Sequence, residues 1–371
     1  MAALTEKVYI RTAKEVTYLA ACAVNGETPD RERIARMNLD NLYTVANGHQ
    51  LTAVTAMALE KAGVRSAPFT QAKGKAIRKN AALDLDRAAL TERLEAEKIW
   101  YMPLKGAVLA GYYPEYGMRQ MSDNDILIDA SRSKDVRKIM ISLGFSLEQY
   151  GGEMHDEYVK KPVSYFEIHR SLFNHTNGKM YDYYKDVALR LISEEGTTAR
   201  RFSEEDFYVY LIAHEYRHFS ESGTGLRSLL DVYVFWRKFG DQLDRDYLEA
   251  ELEKLDLADF EKQNRELSLR LFSGENLSPQ EEERLRYYII SGVYGTVQNK
   301  IIRQGRWRYF WSNLFLPYPQ MAIQYPVLRK LPFLLPVCWL SRLIRRLVFK
   351  PNRILNKLKS LWNYGKQTKG Y

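Results

Sequence analysis

Cysteine is nearly absent from this chain, and its scarcity excludes several classes of protein. The 371 residues include only Cys22 and Cys338, which lie far apart and lack the spacing of a metal-binding pair. A disulfide scaffold and a cysteine-ligated zinc site are therefore excluded, and so few cysteines favour a reducing compartment. The N-terminal residues also lack an apolar segment after a basic start, so no secretory signal is visible. We predict a cytoplasmic protein.

Long apolar runs are missing as well. The apolar stretch at residues 331–340 is too short to span a bilayer, and Pro332 and Pro336 interrupt it. Hydrophobic residues nevertheless make up 46% of the chain, which is enough to bury a large core. By length alone, we expect two or three domains.

Acidic residues are absent from Arg284 to the end of the sequence. The same segment holds 17 of the 55 Lys and Arg residues, so the first 283 residues carry 38 basic and 46 acidic side chains. The body is acidic and the tail is basic. Aromatic residues are interleaved with the basic ones in that tail: Trp307, Tyr309, Phe310, Trp311, Phe315, Tyr318, Phe333, Trp339 and Trp362.

Such a tail predicts contact with a polyanion. Residues 339–350 predict a basic amphipathic helix, with Trp339, Leu340, Leu343, Ile344, Leu347 and Val348 on one face and Arg342, Arg345, Arg346 and Lys350 elsewhere. We expect residues 301–371 to contact an anionic membrane surface or an acidic glycan, with the protein peripheral to the inner face of the membrane. Nucleic acid is the competing partner, but no recognition motif appears and the body is acidic.

The hydrophobic pattern divides the chain into four segments. Residues 1–95 predict helices, residues 96–195 a small core with strands, residues 196–300 a second helical domain and residues 301–371 a basic extension. In the core, the element order is β-α-β-α-β-β-β, which predicts a mixed sheet with helices on one side. The predicted strands lie at residues 99–104, 124–129, 145–149, 158–161 and 164–169, and a helix lies at residues 131–143.

The most informative motif is Asp123-Asn124-Asp125 at the head of the second strand. Side chains alternate along a strand, so both aspartates face one way while Asn124 and Ile126 face the other. Two carboxylates on one face bind a hard cation such as Mg²⁺ when other oxygen atoms complete the coordination. The motif predicts a metal site that handles phosphate.

A third carboxylate is predicted on another strand. Glu167 lies between the apolar Phe166 and Ile168, on the same side as His169, and a polar pair within an apolar strand needs a partner. A metal pair that promotes nucleotidyl transfer calls for a third acid of this kind. His169 also fits a core histidine whose hydrogen bonds are satisfied.

A turn before a short helix predicts a phosphate contact. Lys105-Gly106 follows the first strand, where backbone N–H groups and the positive end of a helix favour an anion, and glycine permits close approach. Arg119, four residues before Asp123, could reach the same phosphates. Alternatively, Lys105 is a surface charge and Arg119 pairs with an acid.

Together these residues resemble the nucleotidyltransferases of the DNA polymerase β superfamily. They are most similar to an uncharacterised bacterial nucleotidyltransferase family with a Leu-Lys-Gly turn, an Arg, Asp-x-Asp and Glu-x-His. Those elements stand here as Leu104-Lys105-Gly106, Arg119, Asp123-Asn124-Asp125 and Glu167-Ile168-His169, and the resemblance extends over residues 40–240. It implies an α/β (α+β) fold, in which a small mixed-sheet, polymerase-β-like core is embedded in helical segments.

The resemblance also implies an activity and its site. We expect transfer of a nucleoside monophosphate from an NTP such as ATP to an unidentified hydroxyl acceptor, with Mg²⁺ or Mn²⁺ as cofactor. Asp123, Asp125 and Glu167 are the expected catalytic residues and metal ligands. The expected nucleotide-binding residues are Lys105, Gly106, Arg119, Ser122 and His169. Where the wider superfamily has Gly-Ser at the turn, this chain has Gly106-Ala107, so that hydroxyl contact is missing.

Two other functions fit parts of the sequence. One is a non-catalytic protein that binds nucleotide, polyanion or membrane on the same fold. The other is a zinc metallopeptidase, because His214-Glu215-Tyr216-Arg217-His218 matches the H-E-x-x-H pattern. No third ligand follows at a short spacing, and the histidines also fit a packed helix face, with Arg227 and Asp231 as an i,i+4 pair.

Overall fold

The computed structural model describes residues 4–152, 154–292, 315, 318, 321, 325–329 and 331–349. The chain forms two compact units, one of Met1–Arg217 with Thr224–Val293 and one of His218–Gly223 with Tyr294–Tyr371. The four segments expected from the sequence stay a prediction. All the residues expected to bind metal or nucleotide lie in the first unit.

Helices precede the sheet, as predicted. They are α1 (Glu6–Asn25), α2 (Arg31–Ala35), α3 (Leu39–Gly48), α4 (Thr52–Lys61) and α5 (Ala67–Ala96). Helix α1 ends at Gly26, which takes the left-handed conformation (φ 73°) that glycine adopts without steric cost. Helix α1 packs against α3 and α4, and most residues of α4 are buried.

A five-stranded mixed sheet follows, which confirms the predicted fold class. Its strands are β1 (Tyr101–Pro103), β2 (Asn124–Ile128), β3 (Ser146–Gln149), β4 (His155–Lys160) and β5 (Ser164–His169), in the spatial order β1-β2-β5-β4-β3. Strands β2 and β5 are parallel, and the other pairs are antiparallel. The elements between the strands are α6 (Gly106–Ala110) and α7 (Ser133–Ser142). A small hairpin of β6 (Ile192–Ser193) and β7 (Arg200–Arg201) was not expected.

One face of the sheet is apolar and packs against α5 and α7. Alternation along β2 and β5 places every second side chain on this face. The cluster consists of Leu90, Leu94, Ile99, Tyr101, Ile126, Ile128, Val136, Ile139, Met140, Phe145, Tyr158, Phe166 and Ile168. The opposite face of β2, β4 and β5 is therefore the one that carries Asp125, Glu167, His169 and His155.

Helices return after the sheet, again as predicted. They are α8 (Lys179–Tyr184), α9 (Glu204–Glu221), α10 (Leu226–Phe239), α11 (Arg245–Lys254), α12 (Ala258–Ser273) and α13 (Pro279–Ser291). Ser278 caps the start of helix α13 and forms a reciprocal capping box with Glu281. Pro279, between them, occupies the first helical position.

The second unit contains a helix at Leu335–Phe349, close to the predicted residues 339–350. Its buried residue Cys338 packs with Met321 and Leu328, and Trp339 lies against them. Trp339 and Leu340 were expected on one face, but Leu340 is 59% exposed. Among the described residues, every helix is too short or too polar to traverse a lipid bilayer. The expected aromatic residues Trp307, Tyr309, Phe310, Trp311 and Trp362 lie outside the described residues, as do the side chains of Ile344 to Lys350.

Candidate active site

The second strand separates its polar side chains between two faces, as predicted. Asn124 faces α5, where its amide donates to the carbonyl of Leu83 (2.8 Å) and its Oδ1 accepts from Arg87 (2.9 Å). Asp125 faces the other way and pairs in register with Glu167 on the neighbouring parallel strand. The two acids that were expected to share one site therefore stand side by side on adjacent strands.

Asp125 is the buried centre of this group. Its Oδ1 lies 3.1 Å from the Lys105 ammonium and 2.9 Å from His169 Nε2. Burial disfavours its charge, but Lys105 and His169 outweigh that effect and hold the pKa of Asp125 well below its ordinary value. Burial opposes a charge on the half-buried Lys105, but the Asp125 carboxylate outweighs that effect and raises the pKa of Lys105 above its ordinary value. This structure thus gives Lys105 a carboxylate partner within the site.

The turn that carries Lys105 has an unusual backbone. Lys105 adopts φ 43° and ψ −109°, and Ala107 N donates to Leu104 O (3.3 Å) across the turn. Leu104 N donates to Asp125 O (2.9 Å), which ties the turn to β2. A Cβ on Gly106 would lie only 2.7 Å from Arg119 Nη1, so the glycine is required by close packing against Arg119.

Arg119 is held by an ion pair within the fold. It is 7% exposed, and its Nε and Nη2 donate to the two carboxylate oxygens of Asp231 at 2.8 and 2.9 Å. Tyr113 donates to the same carboxylate (2.8 Å), and Asn80 donates to the Arg119 carbonyl (2.9 Å). Of the two alternatives for Arg119, the structure shows pairing with an acid. Its expected contact with phosphate stays a prediction.

Arg227 does not form the i,i+4 pair with Asp231 that helix spacing suggested, because Arg119 occupies that carboxylate. Instead, Arg227 donates to Gln50 Oε1 and, at 3.3 Å, to the carbonyl of Gln120. Ser122 Oγ also donates to Gln50 Oε1, at 3.4 Å. Burial and the nearby Arg119 lower the pKa of Arg227. Gln50 therefore connects the expected nucleotide-binding residue Ser122 to the half-buried guanidinium of Arg227.

Asp123 lies in an electrostatically crowded place. Burial and the negative charges of Asp125 and Glu167 together raise its pKa to about 6, because they outweigh the opposing effect of Lys105 and Arg227. Lys79 of α5 is close enough for Asp123 to favour its charge, although burial lowers the pKa of Lys79. The crowding means that a cation would relieve mutual repulsion among the three carboxylates.

Glu167 and His169 face the same side of β5, as expected, and they meet a residue from β4. His169 Nε2 lies 3.4 Å from Glu167 Oε2, and His155 Nδ1 lies 3.6 Å from the same oxygen. Burial disfavours a charged His169, yet its bonds to Asp125 and Glu167 raise its pKa. His169 is therefore a buried histidine whose Nε2 has carboxylate partners, as the core-histidine alternative expects. Those partners, Asp125 and Glu167, are themselves residues of the expected site.

Comparison with known proteins identifies the family. The profile of a family described as "Uncharacterised nucleotidyltransferase" matches residues 36–273. The chain belongs to this nucleotidyltransferase family. The match includes the turn at Lys105, the Asp-x-Asp motif and the Glu-x-His motif, and it confirms the resemblance to an uncharacterised nucleotidyltransferase family.

Other comparisons add little. No curated protein matches the chain. A solved structure, "Crystal structure of an antigenic nucleotidyltransferase-like protein from Paracoccidioides brasiliensis", is similar at 15% identity with a TM-score of 0.34, covering 53% of this chain and 95% of that chain.

Within the family fold, sequence reasoning missed three residues near the acids. His155 faces Glu167 from β4, Lys79 approaches Asp123 from α5, and the buried Tyr210 of α9 has its pKa raised to about 12, first by burial. His155 carried a signal, because it lies opposite His169 once β4 and β5 are paired. Lys79 and Tyr210 are brought in by tertiary packing, which no local pattern shows.

The H-E-x-x-H segment does not fit a metallopeptidase. Glu215 is 4% exposed and accepts a hydrogen bond from Tyr288 (2.9 Å), so its carboxylate is directed into the helical core. Burial raises the pKa of Glu215 to about 7. His214 contacts Arg217 at 3.4 Å. Within the described part of the chain, neither His214 nor Glu215 belongs to a group of three potential metal ligands.

Proposed function

We propose that this chain transfers a nucleoside monophosphate from an NTP to a hydroxyl acceptor in a reaction that depends on Mg²⁺ or Mn²⁺. The observation that carries the proposal is the pairing of Asp125 with Glu167 on parallel neighbouring strands, with Asp123 two residues before Asp125. The family membership supports nucleotidyl transfer as the reaction class.

The donor set suits hard divalent ions. Asp123, Asp125 and Glu167 supply carboxylate oxygens, which Mg²⁺ prefers, and a bound cation would offset the effects of burial and of the neighbouring carboxylates that raise the pKa of Asp123. These three acids are the proposed ligands. Bound there, divalent ions neutralise phosphate charge and activate the attacking hydroxyl.

The remaining residues of the site orient the Asp125 carboxylate and neutralise phosphate charge. His169 holds Asp125 through Nε2 and thereby fixes the direction of that carboxylate. Lys105, which bonds Asp125, is a charged side chain at the turn, and its flexible chain would allow the ammonium group to donate to a phosphate oxygen of bound nucleotide. Gly106, Ser122 and His169 stay proposed nucleotide-binding residues, and the acceptor is an unidentified hydroxyl compound.

The test is transfer of label from ATP, GTP, CTP and UTP, each labelled at the α-phosphate, into a lysate of the source cell. Asp123→Asn and Asp125→Asn should abolish labelling, while Glu148→Gln, an exposed acid on β3 of the same sheet, should leave it intact. Label that persists in both aspartate variants contradicts the proposed site. Nucleotide binding without any transfer favours the non-catalytic alternative.

We further propose that the basic C-terminal segment docks on an anionic membrane surface. Described residues of the second unit expose large apolar side chains, including Phe333 (73%), Val337 (61%) and Leu340 (59%), in a segment that contains no acid. Apolar side chains gain free energy by entering the acyl boundary of a bilayer, whereas a hydrated glycan offers them no such environment. This combination favours a membrane over an acidic glycan or a nucleic acid.

A further inference from the structure

Three side chains from β4 and β5 converge on one point next to Asp125. Glu167 Oε2 lies 3.4 Å from His169 Nε2 and 3.6 Å from His155 Nδ1. One ligand atom from each of the three residues lies within 4.8 Å of the other two. Among the described residues, this is the one group of three His, Cys, Asp or Glu side chains whose ligand atoms lie so close together.

The distances agree with those of a coordination shell. Ligand atoms that are each about 2.1 Å from a shared ion lie about 3.4 Å apart when they are arranged tetrahedrally. Two of the three contacts already have nearly this separation. Because the three residues are fixed by strand pairing, with His155 opposite His169, an ion could be bound without moving the backbone.

The histidines also contain nitrogen atoms that lack partners. His155 Nδ1 is buried and accepts or donates no hydrogen bond. A buried polar atom of this kind is costly unless something binds it, and a cation shared with Glu167 Oε2 would do so. The unpartnered nitrogen is the one that faces Glu167, as a ligand atom should.

The other nitrogen of His155 faces a second carboxylate. His155 Nε2 lies 3.5 Å from Glu157 Oε1, and Glu157 accepts a hydrogen bond from Tyr165. A carboxylate on the far nitrogen is the usual means by which a metal-binding imidazole is oriented. His155 therefore has both a partner that orients it and a free nitrogen directed at the cluster.

Two imidazoles and one carboxylate select a particular class of ion. Mg²⁺ and Ca²⁺ prefer oxygen ligands, whereas Zn²⁺, Co²⁺ and Mn²⁺ accept imidazole nitrogen. We propose that His155, Glu167 and His169 form a binding site for a divalent transition-metal ion, with Zn²⁺ bound more tightly than Mg²⁺. The ion replaces the proton that His169 Nε2 shares with Asp125 Oδ1 at 2.9 Å. Glu167 is also a proposed Mg²⁺ ligand and His169 also holds Asp125, so Zn²⁺ bound here should compete with nucleotidyl transfer, although the Zn²⁺ site itself does not require that activity.

The experiment is calorimetric titration of Zn²⁺ into tag-free, chelator-treated, full-length protein in the presence of excess Mg²⁺. Wild type should bind one equivalent, and His155→Ala should weaken that binding by more than about tenfold. Glu157→Gln should weaken it less, because Glu157 acts through His155. Titration with Co²⁺ should give a visible absorption band in wild type that His155→Ala lacks.

The controls separate this site from other histidines. His175→Ala removes an exposed histidine of the same unit, and His214→Ala removes the first histidine of the H-E-x-x-H segment. Both should bind Zn²⁺ as wild type does, with unchanged circular dichroism in all variants. Zn²⁺ affinity that is equal in wild type and His155→Ala, or lost only in His214→Ala, overturns the proposal. Neither result bears on the labelling experiment, which uses Mg²⁺ and the aspartate variants.

Discussion

Arg119 donates two hydrogen bonds, of 2.8 and 2.9 Å, to the carboxylate of Asp231, which lies 112 positions further along the chain. Both side chains are 7% exposed. The pair connects the segment just before the Asp-x-Asp motif to helix α10. It therefore fixes the position of that segment, which leads into the candidate site, relative to the helices of the same unit.

Loss of this pair should destabilise the protein strongly. In Asp231→Ala, Arg119 keeps a buried charge without its partner, and the free energy of unfolding should fall by about 3–5 kcal/mol. Urea denaturation measures the loss. The matched control is Asp135→Ala, which breaks a solvent-screened surface pair with Arg132 and should cost far less. If Asp231→Ala costs as little as the control, the buried pair does not hold the fold.

Gly106 should tolerate no side chain. In Gly106→Ala the new Cβ would meet Arg119 Nη1 at 2.7 Å and Met121 at 3.0 Å, and repacking should cost about 1–3 kcal/mol of stability. Nucleotide transfer should fall too, because the turn that holds Lys105 shifts. Gly111→Ala is the control, since its Cβ would make only an ordinary 3.4 Å contact with a carbonyl. Equal melting temperatures for the two variants would contradict the packing argument.

Glu215 should make stability depend on pH. Burial raises its pKa to about 7, above the value of 4.5 for an ordinary glutamate, so the folded state holds the proton more tightly than the unfolded state does. The stability it contributes is complete below about pH 4.5 and is lost as pH rises through about 7.

Glu215→Gln removes that loss. The free energy of unfolding of the variant, relative to wild type, should therefore increase by about 2.5 kcal/mol between pH 5 and pH 8. Denaturant titrations at several pH values measure it. The free energy of unfolding of Glu249→Gln, at an exposed position on α11, should change with pH as that of wild type does. A Glu215→Gln difference that does not change with pH means that the carboxyl titrates normally.

Membrane docking should require both charge and apolar contact. Full-length protein should float with phosphatidylglycerol vesicles but not with phosphatidylcholine vesicles, and salt should weaken the binding. The double variant Phe333→Ser/Leu340→Ser should bind at least about tenfold less tightly, because two exposed side chains no longer enter the bilayer. Leu189→Ser, at an 88% exposed position of the first unit, is the control. Equal flotation of the double variant and wild type would exclude the described apolar residues as the contact.

Local pattern was sufficient for the strands that carry the acids. Strand β5 was predicted at its observed bounds, because polar and apolar side chains alternate from Ser164 to His169. Strand β2 was predicted within one residue because a short apolar run follows Asp125. Alternation also assigned Asp125 and Glu167 to one face, so the main part of the candidate site could be read before any tertiary contact was known.

The same reasoning failed where a strand is polar. Strand β4 was expected to begin at Tyr158, but it begins at His155, and its first residues His155, Asp156 and Glu157 have no apolar periodicity. His155 was missed for that reason alone. The partner of Arg119 was missed for a different reason. Helix spacing suggested that Asp231 pairs with Arg227, and the sequence near Arg119 gives no sign of a contact with a residue 112 positions away.

The backbone at Lys105 has a consequence for how stability is distributed. Its φ 43° and ψ −109° nearly match the φ 53° and ψ −121° of Gly178, which begins α8 in the same way that Lys105 begins α6. At that corner of a turn, glycine is the residue of lowest energy, and a side chain there costs about 1–3 kcal/mol. The chain thus keeps a strained residue where a relaxed one would fit. The protein is less stable with Lys105 than with glycine at this position, but only lysine places a positive charge beside Asp125.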